Sequence, residues 1–372
     1  MLVTIVAIIV VLSILVLVHE FGHFIVAKLL KIKVEEFGFG LPPRAFGIKR
    51  GETIYSINFL PIGGFVKLFG EDEAGSGKLK LKGQKEKTKD MNRAFFARPA
   101  WQRLLVVVAG VVMNFLLAVV IFSYLFSAVG VSTPGKKVVI TNLSDNSPAI
   151  EAGLKVGDTI EEINGKKVTD AGQILTVTKK YLGEKISIKV KNENEKVRDV
   201  EITPRKEYPK DEGPMGVSIS QNVEIKKYPW YEAPLVGVKE ALNISFLIIS
   251  GIGMIFYQLI VSGSVPGDVA GPVGIAQLTG KFVKLGIYPL MSFVSFFSLN
   301  LAILNILPIP ALDGGRLLFI LIEVVTGRKV NRKFEGYAHA IGMALLLGLI
   351  ILITAHDLVR LFSGQPILPN IQ

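Results

Sequence analysis

The sequence predicts a polytopic α-helical membrane protein with four transmembrane helices and a polar, strand-bearing domain inserted between the second and third. Three observations predict it. Half of the 372 residues are apolar and the mean hydropathy is +0.48, more than an ordinary soluble chain of this length carries. Four long apolar stretches, at about 2–30, 104–129, 290–307 and 337–354, come near the length that crosses ~30 Å of hydrocarbon. Between the second and third, residues 136–205 turn polar and alternating, as in Ile186-Ser-Ile-Lys-Val190, the pattern of a small strand-rich domain.

Residues 1–30 form the first transmembrane helix. They lack the basic start and small-residue cleavage pattern of a signal peptide, and they run on into His19 and Glu20. Residues 31–100 make a loop whose alternating apolar residues and Gly38, Gly40, Gly63 and Gly64 permit β-hairpins. Residues 101–130 are the second transmembrane helix and 136–222 the inserted domain. In 226–289, the apolar stretch 233–261 carries Lys239, Glu240, Asn243 and Gln258. It reads as an amphipathic helix lying at the interface or against the other helices, although hydropathy alone leaves a crossing open. The third and fourth transmembrane helices occupy 290–315 and 335–360.

Charge sets the orientation. Lys28, Lys31, Lys33, Arg93, Arg98 and Arg103 flank the first two helices on one side, and Arg328, Lys329, Arg332 and Lys333 lie between the last two, so both loops are cytoplasmic. Both termini and the inserted domain then lie outside, which requires an even number of spans. The net charge of +11 fits cytoplasmic loops and anionic lipid headgroups; no clustered basic and aromatic motif points to nucleic acid. Cysteine is absent, so any zinc must sit on His, Asp or Glu.

His19-Glu20-Phe21-Gly22-His23 sets two imidazoles four residues apart on one helix face, within reach of one zinc ion, with a carboxylate beside them to take a proton from water. Ionisable groups inside a transmembrane helix point to function. At ~1.5 Å per residue His19 lies about 25 Å into the bilayer, in its cytoplasmic third. A catalytic zinc needs a third protein ligand. Asp313, in Asn305-Ile-Leu-Pro-Ile-Pro-Ala-Leu-Asp-Gly-Gly315, falls at the same depth if 233–261 does not add a span. His339 is an alternative, and His356 belongs near the other surface. Pro308 and Pro310 disrupt the helix just before Asp313. Asn305 is either a donor to substrate or a developing oxyanion, or a helix-to-helix hydrogen bond.

Ser147-Pro-Ala-Ile-Glu-Ala-Gly-Leu-Lys-Val-Gly-Asp158 followed by Ile163-Asn-Gly165 resembles bacterial PDZ domains, which implies a mixed α/β module that takes peptide at a sheet edge. The whole chain resembles the site-2 protease family of intramembrane zinc metalloproteases, in its bacterial branch with extracytoplasmic PDZ domains. The resemblance rests on the His19–His23 motif, the Asn305–Gly315 segment, Phe59-Leu-Pro-Ile-Gly-Gly-Phe-Val-Lys-Leu68 and Gly271-Pro-Val-Gly-Ile275. It implies that His19, His23 and Asp313 bind one zinc ion, that Glu20 is the catalytic acid and base, and that Asn305 helps to hold substrate. It also implies a membrane re-entrant β-hairpin sheet over 35–67, a place in the bacterial cytoplasmic membrane, and single-span membrane proteins as substrates. Anti-sigma factors and signal-peptide remnants are such proteins, and the PDZ domain would bind a peptide or filter a substrate ectodomain. Where many relatives have Gly-Pro in the second helix, this chain has Gly110-Val111 before Asn114. Two rival expectations are a membrane-anchored PDZ scaffold with a vestigial metal site, and a transporter using the same groups as a proton or metal path.

Overall fold

A computed structural model describes residues 2–71, 90–192, 195–209, 212–262 and 271–363. Parts of the loops expected over 31–100 and 226–289 fall outside these residues. The chain divides into two compact units, one of residues 1–129 with 229–372 and one of residues 130–228.

In the first unit, α1 (Leu2–Leu29) and α2 (Ala100–Ala128) are apolar over most of their length, as buried or lipid-facing helices are. They run antiparallel: His23, later in α1, meets Val106, while His19 meets Asn114 further along α2. Between them, β1 (Val34–Arg50) and β2 (Thr53–Leu68) each bend, so residues 34–39 pair with 64–68 on one side and with 54–57 on the other. Residues 44–50 complete this sheet against 53–58. It lies along α1, where the Ser13 hydroxyl donates to the Pro61 carbonyl at 3.2 Å.

After the inserted unit come α5 (Ala233–Ser262), α6 (Pro272–Leu285), α7 (Ile287–Ile306), α8 (Asp313–Thr326) and α9 (Arg332–Phe362). The start of α5 packs on the end of α2, with Gly237 against Val119 and Ser123. Next, α6 places Gly280 beside Thr4 at the start of α1. The far end of α7 brings Asn305 to His19, so α7 runs in the direction of α1. Helix α9 returns the opposite way, from His339 at Ala311 to Asp357, whose carboxylate accepts from the Gly274 amide at 3.0 Å.

The helix expected over 290–315 is two elements. It stops at Ile306, Leu307 is extended ahead of Pro308, and a new helix starts at Asp313; proline removes a donor and pushes the residue before it out of helical geometry. Among the described residues five helices, α1, α2, α5, α7 and α9, are long and apolar enough to cross a membrane. The one beyond the four expected is α5.

The second unit contains β3 (Val131–Leu143), α3 (Pro148–Glu151), β4 (Thr159–Ile163), β5 (Lys166–Lys167), α4 (Ala171–Lys180), β6 (Ile186–Lys191), β7 (Val197–Ile202) and β8 (Val217–Lys226). The antiparallel strand order is β7-β6-β4-β3-β8, with β5 paired to β4. Alternate residues of β6, Ile186, Ile188 and Val190, are buried in one core with Ile140, Ile160 and Ile174, as the period of two in a strand dictates. The Asp170 side chain caps α4 by accepting from the Gly172 amide.

The turn of the β1–β2 hairpin is tied to the end of α1. The Glu52 carboxylate accepts two hydrogen bonds of 2.8 Å from Arg93 and one of 3.1 Å from Lys28. The Arg93 guanidinium foremost, then Lys28, draws the Glu52 pKa down to about 2. A depressed carboxylate stabilises above its unfolded pKa, so the tie is complete above about pH 5 and is lost as pH falls through about 2. Replacing Glu52 with Gln removes about 1 kcal/mol of this partly exposed interaction. Amide hydrogen exchange in residues 53–57 is expected to quicken about fivefold at neutral pH; an unchanged rate would show that the hairpin is held by the sheet alone.

Candidate metal centre

Helix α1 brings His19 and His23 to one face, one turn apart, each only 7% exposed. His19 Nε2 lies 2.9 Å from Asp313 Oδ2, His23 Nε2 lies 3.3 Å from the same oxygen, and the two Nε2 atoms are 3.2 Å apart. Nitrogen and oxygen ligands held ~2.0–2.1 Å from a tetrahedral zinc stand about 3.3 Å from one another. The three atoms therefore outline one face of such a tetrahedron, and their chemistry, two imidazoles and one carboxylate, is that of a catalytic zinc with an open fourth position.

Asp313 arrives by a different route. It is the first residue of α8, where the helix N-terminus favours a carboxylate. The turn before it puts Ala311 in the left-handed region at φ 82°, and the Ala311 amide donates to His339 Nδ1 at 2.8 Å. His339 thus holds the turn and stands outside the three-ligand cluster. His356 is exposed near the far end of α9. Gly314 allows the turn to close, since a Cβ there would meet the Leu307 carbonyl oxygen at 1.9 Å.

Glu20 lies beside the cluster, and its Oε2 accepts from the Val66 amide of β2 at 3.1 Å. The Asn305 side-chain amide lies 3.4 Å from His19 Nε2. Two cavities adjoin the cluster, and Glu20 and Asp313 line both. One, of about 370 Å³, is bounded by Glu71, Arg316 and His339, and Glu71 and Arg316 form an ion pair across it. The other, of about 310 Å³, is bounded by Asn114 and Asn305.

Three contributors escaped the sequence reading: the backbone amide of Val66, His339 as a brace, and Gly110. No side-chain type announces a backbone donor. Gly110 does leave a mark, being four residues before Asn114 on one face of an apolar helix. A Cβ at Gly110 would meet His23 Nε2 at 2.5 Å and His19 Cε1 at 2.6 Å, so the imidazoles occupy the space that a side chain would fill.

A model of peptidase family M50 matches residues 7–349. Regulator of sigma-W protease RasP of Bacillus subtilis is 32% identical over 427 aligned residues, covering 96% of this chain and 99% of its own. Zinc metalloprotease RasP of Geobacillus kaustophilus is 33% identical over 428, covering 96% and 98%. Among solved structures, the PDZ domain of an SdrC-like protein from Listeria monocytogenes matches 24% of this chain and 93% of its own at 24% identity, with a TM-score of 0.20, too low to assign a fold.

Gly110→Ala is expected to displace both imidazoles and to lower the zinc content of the purified protein more than about tenfold. Retention of the wild-type metal content by that variant would show that the ligands lie elsewhere.

Proposed function

The chain belongs to peptidase family M50 and is a zinc metalloprotease, and from that premise we propose which groups cut the peptide bond and where. His19, His23 and Asp313 hold the zinc ion, Glu20 is the general base and acid, and Asn305 steadies the substrate carbonyl. The observation that carries this is the meeting of three ligand atoms, from two helices almost three hundred residues apart, within 3.3 Å of one another. When bound, zinc supplies Lewis acidity, lowering the pKa of water from about 15.7 toward 7 and polarising a carbonyl. Glu20, held by the Val66 amide, takes the proton from the attacking water as the new carbon–oxygen bond forms. It then returns the proton to the leaving nitrogen as the carbon–nitrogen bond breaks. The Asn305 amide, on the ligand side of His19, is placed to donate to the oxyanion that develops between these steps.

A transmembrane substrate hides its carbonyls in intrahelical hydrogen bonds, so it must unwind before attack, and small or helix-breaking residues near the cleavage point assist it. The sheet supports a way to hold the unwound stretch. Residues 64–68 pair on one side with 34–39, and Glu20 is fixed to that same segment through Val66. An extended substrate added there would bring a peptide bond alongside Glu20. The Ser13 contact, one helical turn and more from His19 toward the start of α1, supports a sheet that re-enters the membrane.

The topology we infer has four net crossings with the cytoplasm at the loops 31–100 and 327–331. The start of α5 lies at the end of α2, and α6 lies beside the start of α1, so 233–285 begins and ends at one face. Residues 130–228 then fall outside the bacterial cytoplasmic membrane. Their open edge at β8, beside α4, supports a PDZ-like module that holds a peptide or screens a substrate ectodomain. Substrates are single-span membrane proteins already trimmed outside, such as membrane-bound anti-sigma factors or signal-peptide remnants; one relative carries regulation of sigma-W in its name.

Glu20→Gln is expected to keep zinc at the wild-type level while cleavage of a reconstituted single-span substrate falls by about 100-fold or more. Cleavage at the wild-type rate would remove Glu20 from the reaction.

A further inference from the structure

The two imidazoles present Nε2 to the ligand cluster and turn Nδ1 toward α2. His23 Nδ1 lies 2.7 Å from the Val106 carbonyl oxygen. His19 Nδ1 lies 3.4 Å from Asn114 Nδ2, the nitrogen end of its side-chain amide. Val106, Gly110 and Asn114 follow one another at intervals of four, so they share a face of α2. Both rings lie over Gly110, whose missing Cβ makes room for them, with the Val106 carbonyl one turn to one side and the Asn114 side-chain amide one turn to the other.

A neutral imidazole that ligates through Nε2 carries its proton on Nδ1, and that hydrogen needs an acceptor. The Val106 carbonyl is the acceptor for His23. For His19 the group in reach is a carboxamide, whose nitrogen end donates and whose oxygen end accepts. Asn114 is wholly buried, and its Oδ1 has no hydrogen-bond partner among the described residues. No partner at the far end fixes which way the amide points, so the proton on His19 decides it. We propose that Asn114 is a positioning residue of the metal centre: with its amide turned end for end, so that Oδ1 takes the place of Nδ2, it accepts the hydrogen of His19 Nδ1 and so fixes the tautomer that offers Nε2 as a ligand. The inference rests on the zinc reading above. A second contact anchors the same residue, because the Ser298 hydroxyl of α7 donates to the Asn114 backbone carbonyl at 2.7 Å. Asn114 therefore joins the helix that carries His19 to the one that carries Asn305.

The test is zinc affinity of the full-length protein in detergent, measured by competition with a chelator, for wild type, Asn114→Asp and Asn114→Leu. Aspartate keeps the shape and offers only acceptors, whereas leucine offers none. The expected result is a loss of about 10- to 100-fold for leucine and wild-type or tighter affinity for aspartate. Equal affinity of leucine and wild type would overturn the proposal, as would an aspartate loss as large as that of leucine, the outcome if the amide donates. Should the leucine variant misfold, the aspartate variant decides alone: wild-type or tighter affinity supports the proposal, and a loss of about 10-fold or more overturns it. A wild-type protein without zinc affinity overturns the metal reading itself, an outcome separate from a wild type that binds zinc beside an unaffected leucine variant.

Discussion

Three ionisable groups bring their ligand atoms to 2.9–3.3 Å of one another inside an apolar helical bundle, and this is the constraint that orders the rest of the molecule. Imidazole and carboxylate taken from water must be repaid with partners. Here polar atoms of the cluster face one another, or a backbone group of a neighbouring helix or strand. His23 reaches the Val106 carbonyl, Glu20 the Val66 amide, and Asp313 both imidazoles. The bundle is built so that these meetings happen at one level.

That level is reached by breaking rules that an ordinary transmembrane helix keeps. A continuous helix over 290–315 would carry Asp313 past the histidines and give its backbone no freedom to turn. The proline pair after Leu307 ends α7, the Ala311 turn is braced by His339, and α8 starts afresh with Asp313 at its first position. On the other side, Gly110 removes a side chain so that α1 and its imidazoles can lie against α2. Backbone left unpaired by such breaks is tolerable within a membrane where it lines a polar cavity, and two cavities flank the cluster.

Much of this was legible in the sequence because it rests on local patterns. Long apolar runs mark α1, α2, α7 and α9, and the i,i+4 spacing of His19 and His23 requires only that their helix form. Asp313 followed from depth, an argument that needs the orientation of two helices and nothing of their packing. What the sequence withheld depends on which faces of helices meet. Asn114 reads as a lone amide in an apolar run until α1 is laid against it. His339 reads as a spare ligand until the turn at Ala311 is seen to use its Nδ1. The nature of α5 stayed ambiguous for a related reason: its charged and amide side chains, Lys239, Glu240, Asn243 and Gln258, and its length argue in opposite directions, and only its packing on the end of α2 fixes where it begins.

The central claim is that two imidazoles and one distant carboxylate hold the same ion. Metal content of the purified full-length protein beside its Asp313→Ala variant tests it most directly. The account predicts close to one zinc per wild-type chain and little in the variant, whose two histidines would keep a site one ligand short. Full zinc in the variant, or none in the wild type, would contradict it.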